Sequence, residues 1–433
     1  MAPISRVSAR HRAPPADPDP RRLACAAGAA LVYGVSPADT LAVLPAAGGA
    51  PMSLDRQAPA SGPVTESDRI TSLDLIRGVA VLGILLMNAV SFRYGLAPYL
   101  NLSAGGSETG LDWAVGMLGE IFIDQKFMAV FSLLFGAGIL LFIERAEARE
   151  ARPVLLNLWR NVLLLGIGVL HTMLWDGDVL ILYALSAVVL LGLRSLQSRT
   201  LVAVGAFVFL LSVPNTLLAQ HLANTTDVSL AGIWEPGETS GENATLEALT
   251  LLGYAARGLG MILMGAGLYR LGFMSGRMSA ATYRWTAFVG LGVGLPLAAA
   301  SVVVTALGDY GRDVAFIGQI PNTLGTIPAA LGYMSLLVLW DRRGEHWLKR
   351  RLLATGRMAL TNYLSQTVLG MLTLTVLLDG ASVGRTGILV FVLAVWALQL
   401  WWSRIWLDRF RFGPAEWLWR VATYRKGQAL RRV

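Results

Sequence analysis

In the stretch GVLHTMLWDGDVLILYAL, His171 is followed within one short turn by Asp176 and Asp178. An imidazole titrates near neutral pH, and a carboxylate held on one ring nitrogen leaves the other free as a general base. Asp176, Gly177 and Asp178 read as a tight turn between two apolar segments. Asp176 can reach back to His171, and Asp178 can cap the segment that follows. The same contact would serve equally as a clamp on the turn. His171 is the histidine at membrane depth: His11 lies in an N-terminal tail, and His221 and His346 lie in polar loops. No second histidine or cysteine stands at ligand spacing, so no metal site is expected.

A second group of polar residues lies inside apolar runs. In SLDLIRGVAVLGILLMN, Asp74, Arg77 and Asn88 fall on one helical face, and Asp74 and Arg77 can pair at i, i+3. Such a face looks into a bundle or an aqueous cavity, or anchors the helix at the membrane surface. Lys126 follows Asp124 in GEIFIDQKFMAVF, where it can pair with that carboxylate or snorkel outward. Arg257, in LTLLGYAARGLGMILMGAGL, needs a carboxylate from another helix or an anionic substrate group. Asn362 and Gln366, beside Tyr363, share a face, and Gln399 adds a further amide; amides here either contact substrate or join helices. The candidate catalytic residues are therefore His171, Asp176 and Asp178. The candidate substrate- or donor-binding residues are Asp74, Arg77, Asn88, Lys126, Arg257, Asn362 and Gln366.

The elements that must position these residues are membrane helices. Of the 433 residues, 55% are hydrophobic and only 15% charged, against about 25% charge in soluble domains. The mean hydropathy is +0.55. Ten apolar segments are expected, at about 73–92, 118–143, 158–174, 178–196, 200–219, 248–268, 282–305, 318–340, 359–379 and 385–406. The pattern predicts an all-α, polytopic helical bundle in a lipid bilayer. Loops rich in arginine alternate with loops nearly free of it, which places both termini in the cytoplasm. The net charge of +8 sits in those loops, so it sets topology and meets lipid headgroups; no nucleic-acid partner is expected. Cys25 is the sole cysteine, so no disulfide forms within one chain. Residues 1–66, rich in Pro, Ala, Asp and Arg, read as a disordered tail or as sequence upstream of the true start; residues 67–433 read as the transmembrane domain.

The segments RITSLDLIRGVAVLGILLMN, KFMAVFSLLFGAGILLFIERA, GVLHTMLWDGDVLILYAL, GRMALTNYLSQT and RFRFGPAEWLWRVATY, in this order, resemble the YeiB-like family of bacterial inner-membrane proteins. The resemblance runs from about residue 69 to the end, with a C-terminal half over about 248–433. That family is similar to a wider group of membrane acyltransferases, the heparan-glucosaminide acetyltransferase-like and acyltransferase-3 proteins, which share the SLD…RG opening. The resemblance implies a multi-pass protein of the bacterial inner membrane. It implies acyl transfer from a cytoplasmic thioester, acyl-coenzyme A, to a small-molecule acceptor at the outer face. Asp74 and Arg77 match the shared opening. Asn88 stands where the acyltransferase-3 proteins carry a histidine, and the loop 93–112 holds none. His171 with Asp176 or Asp178 would then supply the base, and Arg77 would meet donor phosphates. The buried Lys126, Arg257 and the Arg77–Asn88 face fit a second expectation equally, a transporter for a small anionic substrate. A non-catalytic scaffold is the third.

Overall fold

A computed structural model of the chain describes residues 70–148, 152–237 and 244–432. The tail read over 1–66 lies outside the described residues. No strand forms among the described residues, beyond two isolated bridges, Ala231–Glu235 and Phe410–Arg431. Apolar segments that leave water must satisfy their backbone internally, and the helix does so within one segment. The helices are α1 (Thr71–Tyr94), α2 (Leu96–Leu100), α3 (Gly110–Phe122), α4 (Lys126–Glu147), α5 (Pro153–Thr172), α6 (Leu180–Leu193), α7 (Ser198–Leu210) and α8 (Ser212–Thr225). They continue as α9 (Ala244–Arg270), α10 (Ala280–Leu307), α11 (Ile320–Asp341), α12 (Trp347–Arg357), α13 (Ala359–Gly370), α14 (Arg385–Arg409) and α15 (Pro414–Tyr424).

Among the described residues, eight helical segments are long and apolar enough to cross a membrane. They answer to eight of the ten expected segments. The other two are also helical: α6 has 14 residues, and α13 runs on through a π-helical stretch, Met371–Leu377. The protein is thus an all-α, polytopic membrane bundle. Two details differ from the sequence reading. The segment expected at 118–143 is broken between α3 and α4, where Gln125 adopts φ 59°. The charged stretch expected as a basic loop folds into α12, because Leu352, Thr355 and Gly356 line up on one buried face while Arg350 points out.

Helix α1 is the centre of the bundle, packed by α4, α11, α12, α13 and α14. Its apolar window is 67% buried, against 22% for α5 and 28% for α10 and α14, so those three helices face lipid. The core joins Ile76 and Ala80 of α1 to Leu133 and Ala137 of α4, Met261 and Met264 of α9, and Met334 of α11. Small residues set the approach of α1 and α12. A Cβ on Gly356 would lie 1.9 Å from the carbonyl oxygen of Asp74, and one on Gly78 would lie 2.1 Å from that of Leu352. No flexible side chain is available to yield, since both obstacles are backbone. Gly356→Val is therefore expected to push α12 off α1 and cost about 1–3 kcal/mol or more. A clear drop in the melting temperature of the purified protein checks this; an unchanged melting temperature would refute the close approach.

The segments flanking the spans are also folded. Trp234 is buried at 2% exposure; its carbonyl accepts from Asn101 Nδ2 at 2.9 Å and its Nε1 donates to the Tyr310 carbonyl at 2.8 Å. Arg312 donates to the carbonyls of Ala223 and Val228, both at 2.5 Å. These bonds fold the segment after α8 into a cap rather than a free loop. At the C-terminus, α15 packs back on the bundle: Glu416 Oε1 accepts from the Leu360 amide at 2.7 Å, and Trp419 lies against the Arg160 guanidinium at 4.6 Å. Burial raises the Glu416 carboxyl above its ordinary value, against the lowering effect of its bonds from Thr361 and Leu360.

Candidate functional site

Helix α5 ends at Thr172, the chain turns, and α6 begins at Leu180. This short connection brings Asp178 back onto His171. The Nδ1···Oδ1 distance is 2.8 Å, with the side chains 3% and 0% exposed. Tyr363 of α13 donates its hydroxyl to the same Oδ1 at 2.9 Å, and the Leu180 amide donates to Oδ2 at 2.9 Å. Asp178 therefore accepts from three donors. A carboxylate only accepts, so Nδ1 carries the ring proton and Nε2 keeps its lone pair. Nε2 is buried and has no hydrogen-bond partner among the described residues. Trp175 packs edge-on to the imidazole at 6.3 Å and donates its Nε1 to Ser91 at 3.1 Å, which ties the turn to α1. Asp176 is exposed, and no hydrogen bond or ion pair joins it to His171. The turn sends the first aspartate outward and the second inward, so Asp178 takes both roles, partner of His171 and cap of α6.

The pair expected in α1 forms: Arg77 Nη1 lies 2.8 Å from Asp74 Oδ1. The Arg77 side chain keeps 30% exposure, so its guanidinium remains reachable. Asn88 is half-buried on the same helix, and none of the hydrogen bonds among the described residues involves its side chain. Asn362 and Gln366 lie within the protein. Asn362 Nδ2 donates to the Thr355 carbonyl and to Ser403 Oγ, both at 3.1 Å. Gln366 Nε2 donates to the Val81 carbonyl at 3.1 Å and to Gln399 Oε1 at 2.9 Å. These amides join α1, α13 and α14.

The remaining charged candidates gather at the break between α3 and α4. Lys126 is fully buried rather than snorkelled. Its backbone N–H donates to the Asp124 carbonyl at 2.7 Å, but its ammonium forms no ion pair with the Asp124 carboxylate. Its Nζ donates to the Glu120 carbonyl at 2.7 Å and to Asn322 Oδ1 at 2.5 Å, while Asn322 Nδ2 donates to Asp124 Oδ2 at 2.9 Å. Asn322 thus carries the interaction between the two charges. Tyr99 of α2 donates to the other Asp124 oxygen at 2.6 Å. Burial first, and then the Asp124 charge, hold the Tyr99 phenol well above its ordinary value, so it stays a donor. Gln125 Oε1 accepts from Arg257 Nη1 at 3.0 Å and from Thr323 at 3.3 Å.

Two cavities flank this break. One, of about 500 Å³ and partly open, is lined by Glu120, Asp124, Tyr99, Arg385 and apolar side chains of α1 and α14. The other, of about 630 Å³ and also partly open, is lined by Tyr99, Asp124, Gln125, Tyr254 and Arg257, with Gln319 and Thr323 across from them. Tyr99 and Asp124 line both. Irregular backbone at membrane depth occurs where it faces protein or an aqueous cavity, and strained backbone marks sites worth testing.

Residues 268–426 match the family described as "Protein of unknown function (DUF418)". Over 390 residues the chain is 33% identical to the protein named "Uncharacterized protein YeiB" of Escherichia coli K12, covering 83% of this chain and 97% of that relative. The chain belongs to the YeiB-like family. YxaH of Bacillus subtilis, also named as uncharacterized, is 28% identical over 415 residues, with 85% of this chain and 97% of the relative covered. A 39.9 kDa protein encoded beside an amylase in Bacillus acidopullulyticus is 28% identical over 377 residues, covering 84% of this chain and 96% of the relative. No solved structure matches.

In this YeiB-like chain, several site residues escaped the sequence reading. Glu120 and Gln125 stand in GEIFIDQKF, whose polar residues flag the break in hindsight. Asn322 directly follows Pro321 and could have been flagged as a helix-start amide. Arg385, which donates Nη2 to the Pro98 carbonyl at 2.6 Å, carried no signal beyond its position at a span end.

Proposed function

We propose that this YeiB-like protein is a membrane acyltransferase in which His171 acts as general base. The observation that carries the reading is the buried imidazole, with Nδ1 held by Asp178 and Nε2 free of any partner among the described residues. A base held in one tautomer, with its lone pair turned from the carboxylate, is arranged to take a proton from an acceptor hydroxyl or amine. The acceptor oxygen or nitrogen then bonds to the thioester carbonyl carbon and the C–S bond breaks. The departing thiolate receives the proton from the imidazolium, which restores neutral His171. Asp178, supported by Tyr363, stabilises the imidazolium between those steps. Arg77, paired yet reachable, would hold donor phosphates. The test is thermal stabilisation of the purified full-length protein by coenzyme A and acetyl-coenzyme A. Both are expected to raise the melting temperature, and only acetyl-coenzyme A is expected to release free thiol on incubation with membrane extract. If neither molecule stabilises the protein, the proposal fails.

Transport is the second reading. It is favoured by the helix break at Gln125 with a cavity on either side. Substrate uptake into proteoliposomes that contain no thioester would select it.

A further inference from the structure

Arg257 is half-buried and has no charged partner among the described residues. Its Nε donates to the Gly253 carbonyl at 3.4 Å, its Nη1 donates to Gln125, and its plane lies over the Tyr254 ring at 4.4 Å. All three contacts are with neutral groups, and the guanidinium forms no ion pair among the described residues. It faces the cavity of about 630 Å³. The carboxylate in the same wall, Asp124, is already engaged by Tyr99 and Asn322 and balanced through Asn322 by Lys126. Arg257 is thus the uncompensated charge of that cavity. A second group in the wall is also unfilled: Thr250 Oγ1 is buried without a hydrogen-bond partner. Thr250 and Arg257 lie two turns apart on α9, so they share a face.

We propose that this cavity is a binding site for a small molecule bearing a carboxylate or phosphate. A guanidinium presents parallel N–H groups that match two oxygens of such an anion. A cation at membrane depth is costly alone, and an anion in the cavity offsets that cost. Thr250 adds a hydroxyl, and Gln319 and Thr323 supply polar partners for the body of the ligand. Gln125, at its positive φ, is the positioning residue that holds Arg257 toward the space. The inference stands apart from the role given to His171.

The test uses the full-length protein in phosphatidylcholine nanodiscs at constant ionic strength, because salt alone alters exposed charge pairs. Inorganic phosphate and acetate are titrated by calorimetry, and phosphatidylglycerol is introduced in a parallel set of discs, read as a shift in melting temperature. Arg257→Gln is expected to weaken the response about tenfold or more, with Arg257→Lys between it and the native protein. An Arg257-dependent response to phosphate or acetate supports a soluble ligand. An Arg257-dependent response to phosphatidylglycerol alone supports the same oxyanion recognition with a lipid headgroup as its source. An equal response in Arg257→Gln, or no response to any probe, overturns the proposal. If Arg257→Gln does not fold, Thr250→Val decides: it must weaken the response, and an unchanged response overturns the site. His171→Ala must leave the response intact; its loss there would move the site away from this cavity.

Discussion

His171→Ala is expected to lower thioester-dependent acyl transfer by about 10²–10⁴-fold, the usual contribution of a positioned acid–base group. The protein should still fold, because the change removes one contact of a turn that Trp175 also secures. Asp178→Asn is expected to lose nearly as much. An amide can donate to Nδ1, which forces the proton to Nε2 and abolishes the lone pair there. Tyr363→Phe removes one of three donors to Asp178 and is expected to cost about tenfold, near 1.4 kcal/mol. Transfer of labelled acyl groups in reconstituted membranes measures the series. Native turnover in His171→Ala would remove the basis of the acyl-transfer reading. A large loss in Asp176→Ala would instead restore the aspartate that the turn sends outward.

The second large effect concerns stability. Lys126→Met is expected to destabilise the protein by about 3–5 kcal/mol, because it strands the Asp124 carboxylate beside a neutral amide inside the bundle. Combining it with Asp124→Asn is expected to recover much of the loss, since the two charges then disappear together. Melting temperatures of the two single variants and the double variant close the cycle. A double variant no better than Lys126→Met would show that Asn322 does not couple these charges.

What could be read from the sequence was local. The apolar segments were legible from length alone, because lipid demands about 20 residues per helix. The Asp74–Arg77 pair was legible because its members stand three positions apart on one helix. The His171 partnership was legible as a turn, but the choice between Asp176 and Asp178 depended on the path of the chain through it. The network at Lys126 was not legible. It needs Asn322, which lies 196 residues away and reaches the site only once α11 packs against α4. The break at Gln125 was hidden inside an apolar run, and α12 was hidden by its charges. Arg257 needs a carboxylate from another helix or an anionic substrate group by its sequence context, and the protein sets Gln125 against it.

The hydrogen bond from Tyr99 to Asp124 belongs to the walls of two cavities at once. A solute that draws either group toward itself on one side reshapes the other side. Thermodynamic linkage makes that influence mutual: whatever factor one occupant imposes on the affinity for the second, the second imposes on the first. Tyr99→Phe, which keeps the ring and removes the donor, would uncouple the compartments without emptying either.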